Sequence, residues 1–236
     1  MNPQRNSFSW IRLAPIMLGL FLGGANAGTV ALSGSAGVFS VRVTSYKDKP
    51  FERVIKQQYD YSCGAAAVAT LLTYHYGQPV DEQIVLDAML AAGDSEKIRR
   101  EGFSLLDMKN YLESNGYSAN GYRISLEKLS QAGLPAIALT DTAGYLHFVV
   151  VKGMDRNRVL IGDPATGITL IPREQFTKSW KSGILFIVQS ANPRQRLQNF
   201  NTQEEWNAIP RAPLSMAVSH QGLASLTLLL PGTNDF

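Results

Sequence analysis

The feature that most constrains the fold is a series of short apolar runs between residues 135 and 188. The runs are Pro135 to Thr140, Tyr145 to Lys152, Val159 to Gly162, Ile168 to Ile171 and Ile184 to Val188. Turn residues such as Asp163-Pro164 separate them, and the gaps are too short for the crossovers that parallel strands need. The pattern therefore predicts a meander of mainly antiparallel strands.

The chain ahead of these runs has helical signals. Ser62-Cys63-Gly64 opens an Ala- and Leu-rich helix to about Tyr76, with Gly77 as its stop. A second helix begins at Pro79 and Asp81. Its predicted apolar face consists of Ile84, Leu86, Met89 and Leu90.

Two later helices are predicted from their caps. Ser104 lies three residues before Asp107, which is a capping-box pattern ahead of a helix that ends at Asn115-Gly116. Ser125 is placed to cap a further short helix. Helices followed by a strand meander indicate an α+β fold, with N-terminal helices packed on a C-terminal antiparallel sheet.

Residues 1–27 have the pattern of a secretory signal peptide. Arg5 and Arg12 precede the apolar run Leu13 to Leu22, and Ala25-Asn26-Ala27 forms a small-x-small cleavage site. The run is too short to span a bilayer, which needs roughly 20 apolar residues. We expect cleavage after Ala27, a periplasmic or secreted protein, and no stable membrane insertion after that cleavage.

The charge balance gives no indication of an anionic partner. The formal net charge of +3 falls to +1 when the two arginines of the signal peptide are removed. Blocks of five or six like charges are also missing from the sequence. We therefore expect neither nucleic acid nor anionic lipid as a partner.

Cys63 is the one cysteine of the chain, which excludes an internal disulfide and any multi-cysteine metal site. Its place in the first turn of a helix exposes the thiol to unpaired backbone N–H groups and the positive end of the helix dipole, which favour the nucleophilic thiolate. An inert buried cysteine is the alternative. An unpaired thiol is a liability in the oxidising compartment of an exported protein, and this favours a functional role for Cys63.

A nucleophilic cysteine needs a base, and the chain offers three histidines. His75 lies twelve residues along the Cys63 helix, about 18 Å away at a rise of 1.5 Å per residue, and is out of reach. His220 lies in a weakly patterned C-terminal stretch. His147 lies in a predicted strand, where the alternative is a histidine buried in the core. Because His75 and His220 are less suitable, His147 is favoured as the base.

Two more residues complete the candidate site. Asp163 follows His147 by sixteen residues, and a turn at 155–157 would bring its carboxylate back beside the imidazole. Gln57, six residues before Cys63, could donate its amide N–H to an oxyanion, with Gln58 as the adjacent competitor.

The pattern Gln-x5-Cys-Gly-x-Ala, then His, then Asp-Pro sixteen residues later resembles the papain-like peptidases that process bacteriocin precursors at double-glycine leaders. The resemblance covers about residues 50 to 190 and implies a papain-like fold. It implies Cys63 as nucleophile and His147 as general base and then acid. It further implies Asp163 as the group that orients His147, and Gln57 as the oxyanion residue.

The chain departs from that family in two respects. Ser62 stands where the family often has Asp, and serine is a suitable N-cap. The best-known members are fused to membrane-spanning ATPases, whereas this chain has no ATPase motif and has a signal peptide. It looks more like free-standing exported members, including those encoded with functional-amyloid secretion systems.

Together these observations predict four regions: a signal peptide (1–27), an N-terminal arm (28–50), a peptidase-like domain (51–190) and a C-terminal extension (191–236). The expected function is an exported cysteine peptidase that cleaves a secreted polypeptide after a double-glycine-type site, without a cofactor or metal. The expected partners are that polypeptide and a secretion or amyloid-assembly system. A non-hydrolytic client-binding module, and a cell-wall amidase or transpeptidase with the same residues, are the alternatives.

Overall fold

The computed structural model describes residues 28–34, 37–43, 47–142, 144–190 and 199–209. The chain divides into two compact units, Met1–Thr44 and Ser45–Phe236. In the first unit, strands β1 (Gly28–Gly34) and β2 (Gly37–Val43) pair in antiparallel orientation. The signal-peptide prediction and His220 lie outside the described residues.

The second unit contains a group of helices followed by a sheet, as the sequence predicts. Its helices are α1 (Cys63–His75), α2 (Glu82–Ala92), α3 (Ser95–Glu101), α4 (Leu105–Ser114), α5 (Leu126–Ala132), α6 (Arg173–Ser179) and α7 (Gln203–Asn207). Its strands are β3 (Tyr117–Tyr122), β4 (Ala136–Thr142), β5 (Tyr145–Met154), β6 (Arg158–Asp163), β7 (Gly167–Pro172) and β8 (Leu185–Ser190).

These six strands form one sheet in the order β3-β8-β4-β5-β6-β7, and each neighbouring pair is antiparallel. The α+β prediction is therefore confirmed. Strand β5 lies inside the sheet between β4 and β6, and both faces of the sheet are covered. Burial on both faces explains why the five apolar runs are nearly continuous rather than alternating.

The side chains of β5 alternate between two hydrophobic cores, one on each face of the sheet. Phe148 and Val150 pack with α1 and α2 on one face. Val149 and Val151 pack on the other face with Phe176 of α6. A strand sends successive side chains to opposite faces, so the odd-numbered His147 shares its face with Val149.

Helix α1 is buried on nearly every side, which explains its small side chains. Its residues from Cys63 to Leu72, and His75 at its end, are all buried. In α2 the buried apolar side chains are Val85, Leu86 and Met89. The predicted apolar face of α2 was wrong at Ile84, which is 58% exposed, because Val85 occupies the core position.

The predicted caps have different outcomes. The Ser104 hydroxyl accepts from the backbone N–H of Asp107, and the Asp107 carboxylate accepts from the backbone N–H of Ser104. These two bonds confirm the capping box. Ser125 likewise caps α5. Ser62 is the N-cap residue of α1, as predicted, but its hydroxyl bonds with the backbone N–H and carbonyl of Tyr59 and does not cap the helix.

Part of the C-terminal region packs against the end of β5. The backbone N–H of Asn201 donates to the Lys152 carbonyl at 2.9 Å, and the Asn201 side chain accepts from the N–H of Met154 at 3.2 Å. The approach is so close that a Cβ on Gly153 would lie 2.7 Å from the Asn201 side-chain oxygen. Only glycine fits there without displacing the segment at 199–209.

A buried ion cluster reinforces this contact. Glu205 of α7 pairs with Lys152 at 3.0 Å and with Arg53 at 2.7 Å, and the side chains of Lys152 and Glu205 are fully buried. Lys152 also donates to the Arg53 carbonyl at 2.7 Å. Because buried charges are costly unless paired, Glu205 compensates the burial of Lys152.

Within the described residues, we find no helix with the length and apolar character needed to cross a membrane.

Candidate active site

Cys63 is the first residue of α1 and lies at the edge of a cleft. The residue is only 6% exposed, and its thiol is free. The first backbone N–H groups of a helix have no intrahelical acceptor, so they can stabilise negative charge at this position. The position predicted from the sequence, a thiol in the first turn of a helix, is where the structure places it.

His147 and Asp163 lie side by side on neighbouring strands. The pairing of β5 with β6 puts Val150 opposite Gly162, so the end of β6 lies beside the beginning of β5. The Nε2 atom of His147 is 2.8 Å from Oδ1 of Asp163. The same carboxylate oxygen accepts from the backbone N–H of Ala165 at 2.7 Å, which fixes its orientation.

The surroundings of His147 favour its protonated form. Burial by itself would lower the pKa of His147, but the hydrogen bond with Asp163, together with the carboxylate charge and the nearby Cys63 thiol, outweighs it and raises the pKa to about 9. For Asp163, burial opposes ionisation, but the hydrogen bond and charge of His147, together with the hydrogen bonds from Ala165 and Thr166, outweigh it and lower the pKa. Because Asp163 occupies Nε2, the nitrogen that remains for the thiol is Nδ1. An imidazolium beside a thiol is suited to nucleophilic chemistry and to protonation of a leaving amine.

Gln57 and Gln58 lie differently around Cys63. The backbone N–H of Gln57 donates to the Pro164 carbonyl at 2.9 Å, which ties it to the turn after Asp163. Its half-buried side-chain amide donates one N–H to the Tyr59 carbonyl at 3.0 Å. Gln58 is exposed and lines the cleft at Cys63, with its backbone N–H bonded to Glu82.

Two clefts meet at this site, and they divide its residues. The cysteine-side cleft has a volume of about 1040 Å³ and is lined by Cys63 but not by His147. The histidine-side cleft has a volume of about 570 Å³ and is lined by His147 and Asp163 but not by Cys63. Tyr145 lines both clefts, and its ring stacks on His147 with the centroids 5.7 Å apart.

The cysteine-side cleft exposes apolar side chains that the sequence analysis did not identify. Leu106 is 62% exposed and Leu146 is 60% exposed, and both line the cleft together with Tyr59. The signal in the sequence is weak. Leu146 belongs to a strand run, and Leu106 lies next to the buried positions of α4, so both resemble ordinary core residues.

His75, which is predicted to be out of reach of Cys63, lies at the other end of α1. It is fully buried. Burial, and then the positive charges of Lys152 and Arg53, hold its pKa well below the ordinary value. In the part of the chain that the structure describes, no group of three or more His, Cys, Asp or Glu side chains could hold a metal ion.

Comparisons with known proteins agree with this geometry. The model of the peptidase C39 family matches residues 52–192. A protein of Pseudomonas aeruginosa named "probable functional amyloid protease FapD" is 45% identical over 164 residues, which cover 70% of this chain and 72% of that protein. Its namesake from Pseudomonas fluorescens is 40% identical over 181 residues, which cover 75% and 80%.

A solved structure shows the same fold. The peptidase domain of Streptococcus ComA, described as a bi-functional ABC transporter involved in a quorum sensing pathway, superposes with a TM-score of 0.51 at 20% identity. The match covers 58% of this chain and 98% of that domain. At this level of identity the likeness concerns the fold alone.

Proposed function

The chain belongs to the peptidase C39 family and is a cysteine peptidase, and from this premise we propose that it is exported and that Cys63, His147, Asp163 and Gln57 perform the cleavage of a secreted polypeptide. The observation that carries the proposal is the 2.8 Å contact between His147 and Asp163, which raises the pKa of a histidine that lies near the Cys63 thiol.

In the proposed mechanism the thiolate of Cys63 attacks the carbonyl carbon of the scissile peptide bond. The oxyanion accepts hydrogen bonds from the Cys63 backbone N–H and from the second N–H of the Gln57 side chain. The imidazolium of His147 gives its proton to the leaving nitrogen, so that the C–N bond breaks and a thioester remains on sulfur.

Hydrolysis then returns the enzyme to its starting state. His147, now neutral, removes a proton from water, and the hydroxide attacks the thioester carbonyl. The C–S bond breaks, and the acid product leaves together with a regenerated thiolate–imidazolium pair. Asp163 keeps the imidazole in one orientation and stabilises its charge throughout.

We infer the substrate class from the relatives. The two Pseudomonas proteins are each named "probable functional amyloid protease", and their matches cover 70% and 75% of this chain. This supports an amyloid-forming polypeptide as the substrate, cut after a double-glycine-type site as the sequence motif implies. The signal-peptide pattern at residues 1–27 supports a periplasmic or secreted location.

A non-hydrolytic binding module is not favoured. Such a module has no need of a thiol next to a histidine that a carboxylate orients. A cell-wall amidase would use the same residues, but none of the relatives described above has such a name. The exposed leucines and tyrosines of the cysteine-side cleft suit a polypeptide better than a sugar-linked peptide.

The proposal is tested with internally quenched peptides that contain Gly-Gly before the scissile bond, with cleavage located by mass spectrometry. We expect the wild-type protein to cut after Gly-Gly and Cys63→Ala to have no activity while its circular dichroism spectrum is unchanged. Cleavage by the alanine variant would contradict the assignment of the nucleophile. Cleavage of peptidoglycan fragments in preference to these peptides would favour the amidase.

A further inference from the structure

The two clefts separate the two reacting groups, and this separation assigns each cleft to one side of the scissile bond. In the acyl-transfer step the carbonyl side of the substrate stays on the Cys63 sulfur, whereas the amine side leaves with a proton from His147. The cysteine-side cleft is therefore next to the acyl part. The histidine-side cleft, lined by His147 and Asp163, is next to the leaving amine.

We propose that the histidine-side cleft binds the first residues after the scissile bond and that it selects uncharged side chains there. This inference rests on the proposed function, because it concerns a second recognition site of the same reaction. It gives the released segment, and not only the sequence before the cut, a part in substrate choice.

The lining of the cleft supports a short peptide with small or neutral polar side chains. Val149, Ile161 and Phe176 form an apolar floor, and all three are buried. Hydroxyl and amide groups surround that floor. They belong to Thr140, Thr142, Thr166, Thr169, Gln175 and Ser179.

Some of these polar groups are already engaged, and others are available. The Thr140 hydroxyl donates to the His147 carbonyl at 3.0 Å, and the Ser179 hydroxyl donates to the Phe176 carbonyl at 2.9 Å. Among the described residues, the side chains of Thr169 and Gln175 have no hydrogen-bond partner. They can bond with the backbone or the neutral side chains of a bound peptide.

The charged groups at the cleft are each paired within the described part of the chain. Asp141 pairs with Lys181 at 2.7 Å, and Asp163 pairs with His147. Lys178 pairs with Glu174 at 2.7 Å. A charged substrate side chain would therefore lose water against the apolar floor and would have to compete with an existing partner for a counter-ion, which is unfavourable. A neutral side chain loses less hydration free energy and can form hydrogen bonds with the hydroxyl groups of the cleft.

The test compares substrates that differ only after the scissile bond. All peptides share one sequence up to Gly-Gly, and the next three residues are Ser-Thr-Gln, three aspartates or three lysines. A further substrate carries aminomethylcoumarin directly after Gly-Gly and has no released peptide. We expect kcat/KM to be roughly tenfold or more higher for Ser-Thr-Gln than for either charged set.

Variants of α6 locate the effect. Gln175→Glu introduces a negative charge into the cleft, and Thr177→Glu introduces the same charge on the same helix at an exposed position outside the lining. We expect Gln175→Glu to lower kcat/KM for the aspartate peptide and raise it for the lysine peptide, each by roughly tenfold. Thr177→Glu is expected to change neither by more than about twofold, which is typical of a surface charge.

The outcomes separate this inference from the proposed function. If the coumarin substrate is cleaved and the three peptides have equal kcat/KM in all proteins, the inference is wrong and the peptidase assignment stands. Equal changes in Gln175→Glu and Thr177→Glu would also overturn it. If neither the coumarin substrate nor any peptide is cleaved in a Cys63-dependent way, both proposals fail together.

Discussion

The Nε2 atom of His147 lies 2.8 Å from the Oδ1 atom of Asp163, although sixteen residues separate them along the chain. The contact follows from the antiparallel pairing of β5 and β6, which folds the end of one strand back to the beginning of the other. The carboxylate stabilises the imidazolium, and this sets the pH range over which His147 can supply a proton.

We expect Asp163→Asn to move the alkaline limit of activity to lower pH. The wild-type pKa of His147 is about 9, so its proton is present below that pH and is lost as the pH rises through it. Asparagine keeps a hydrogen-bonding oxygen but removes the negative charge, so the pKa of His147 falls toward its ordinary value. The measurement is the pH dependence of kcat/KM, checked by NMR titration of the imidazole.

Asp155→Asn is the matched control for that variant. Asp155 lies in the turn at the opposite end of β6 and pairs with Arg158 at 2.6 Å, away from His147. Its substitution is expected to leave the alkaline limit unchanged. An unchanged limit in Asp163→Asn as well would show that this carboxylate does not control the protonation of His147.

We expect Gln57→Ala to lower kcat by about 10²- to 10³-fold with a small effect on KM. The loss of one oxyanion donor costs roughly 3–4 kcal/mol in the transition state and little in the ground state. Gln58→Ala is the control, because its exposed side chain is the adjacent amide. Steady-state kinetics with one peptide measures kcat for both variants. A larger loss of kcat in Gln58→Ala than in Gln57→Ala would assign the oxyanion role to Gln58.

We expect Leu106→Ser to raise KM with little change in kcat. The side chain of Leu106 is 62% exposed in the cysteine-side cleft, where a bound polypeptide would cover it. Covering a leucine is worth roughly 1.5–3 kcal/mol, so a rise of about fivefold or more is expected. Ile84→Ser is the control, since Ile84 is 58% exposed on α2 and does not line the cleft. If both variants bind substrate as the wild type does, the peptide lies elsewhere.

We expect Glu205→Gln to lower the free energy of unfolding by about 3 kcal/mol, because it leaves buried Lys152 without its anion. Burial already lowers the pKa of Lys152 to about 8 against the opposing effect of Glu205. Urea denaturation measures the change, and Glu204→Gln, one residue earlier and exposed on α7, is the control. Equal stability of both variants would show that the ion cluster contributes little.

The sequence predicted those parts of the fold and site that depend on local patterns. The hairpin that brings His147 to Asp163 is specified by turn residues between two apolar runs. Their separation of sixteen residues along the chain was therefore sufficient to predict that the two side chains lie side by side. The capping box at Ser104 and the helix start at Cys63 are also local. The roles of Cys63, His147, Asp163 and Gln57 stay predictions until the variants are measured.

The parts that sequence analysis missed depend on distant contacts or on competing local bonds. Helix α6 lies between the apolar runs 168–171 and 184–188, and its seven residues are too few to show a clear helical period. Ser62 was expected to cap α1, but the turn at Tyr59 satisfies its hydroxyl first. Glu205 and Lys152 are far apart in sequence, and neither residue has a local pattern that indicates the other.

The position of Glu205 affects where the protein can be shortened for study. A fragment that ends at residue 192, the last residue of the family match, would keep every residue of the proposed mechanism and lose the carboxylate that Lys152 and Arg53 share. The strand that carries His147 would then lose both the carboxylate paired with Lys152 and the segment that packs against its end. Inactivity of such a fragment would reflect a weakened scaffold and not a missing catalytic group, so expression boundaries are better placed after residue 209.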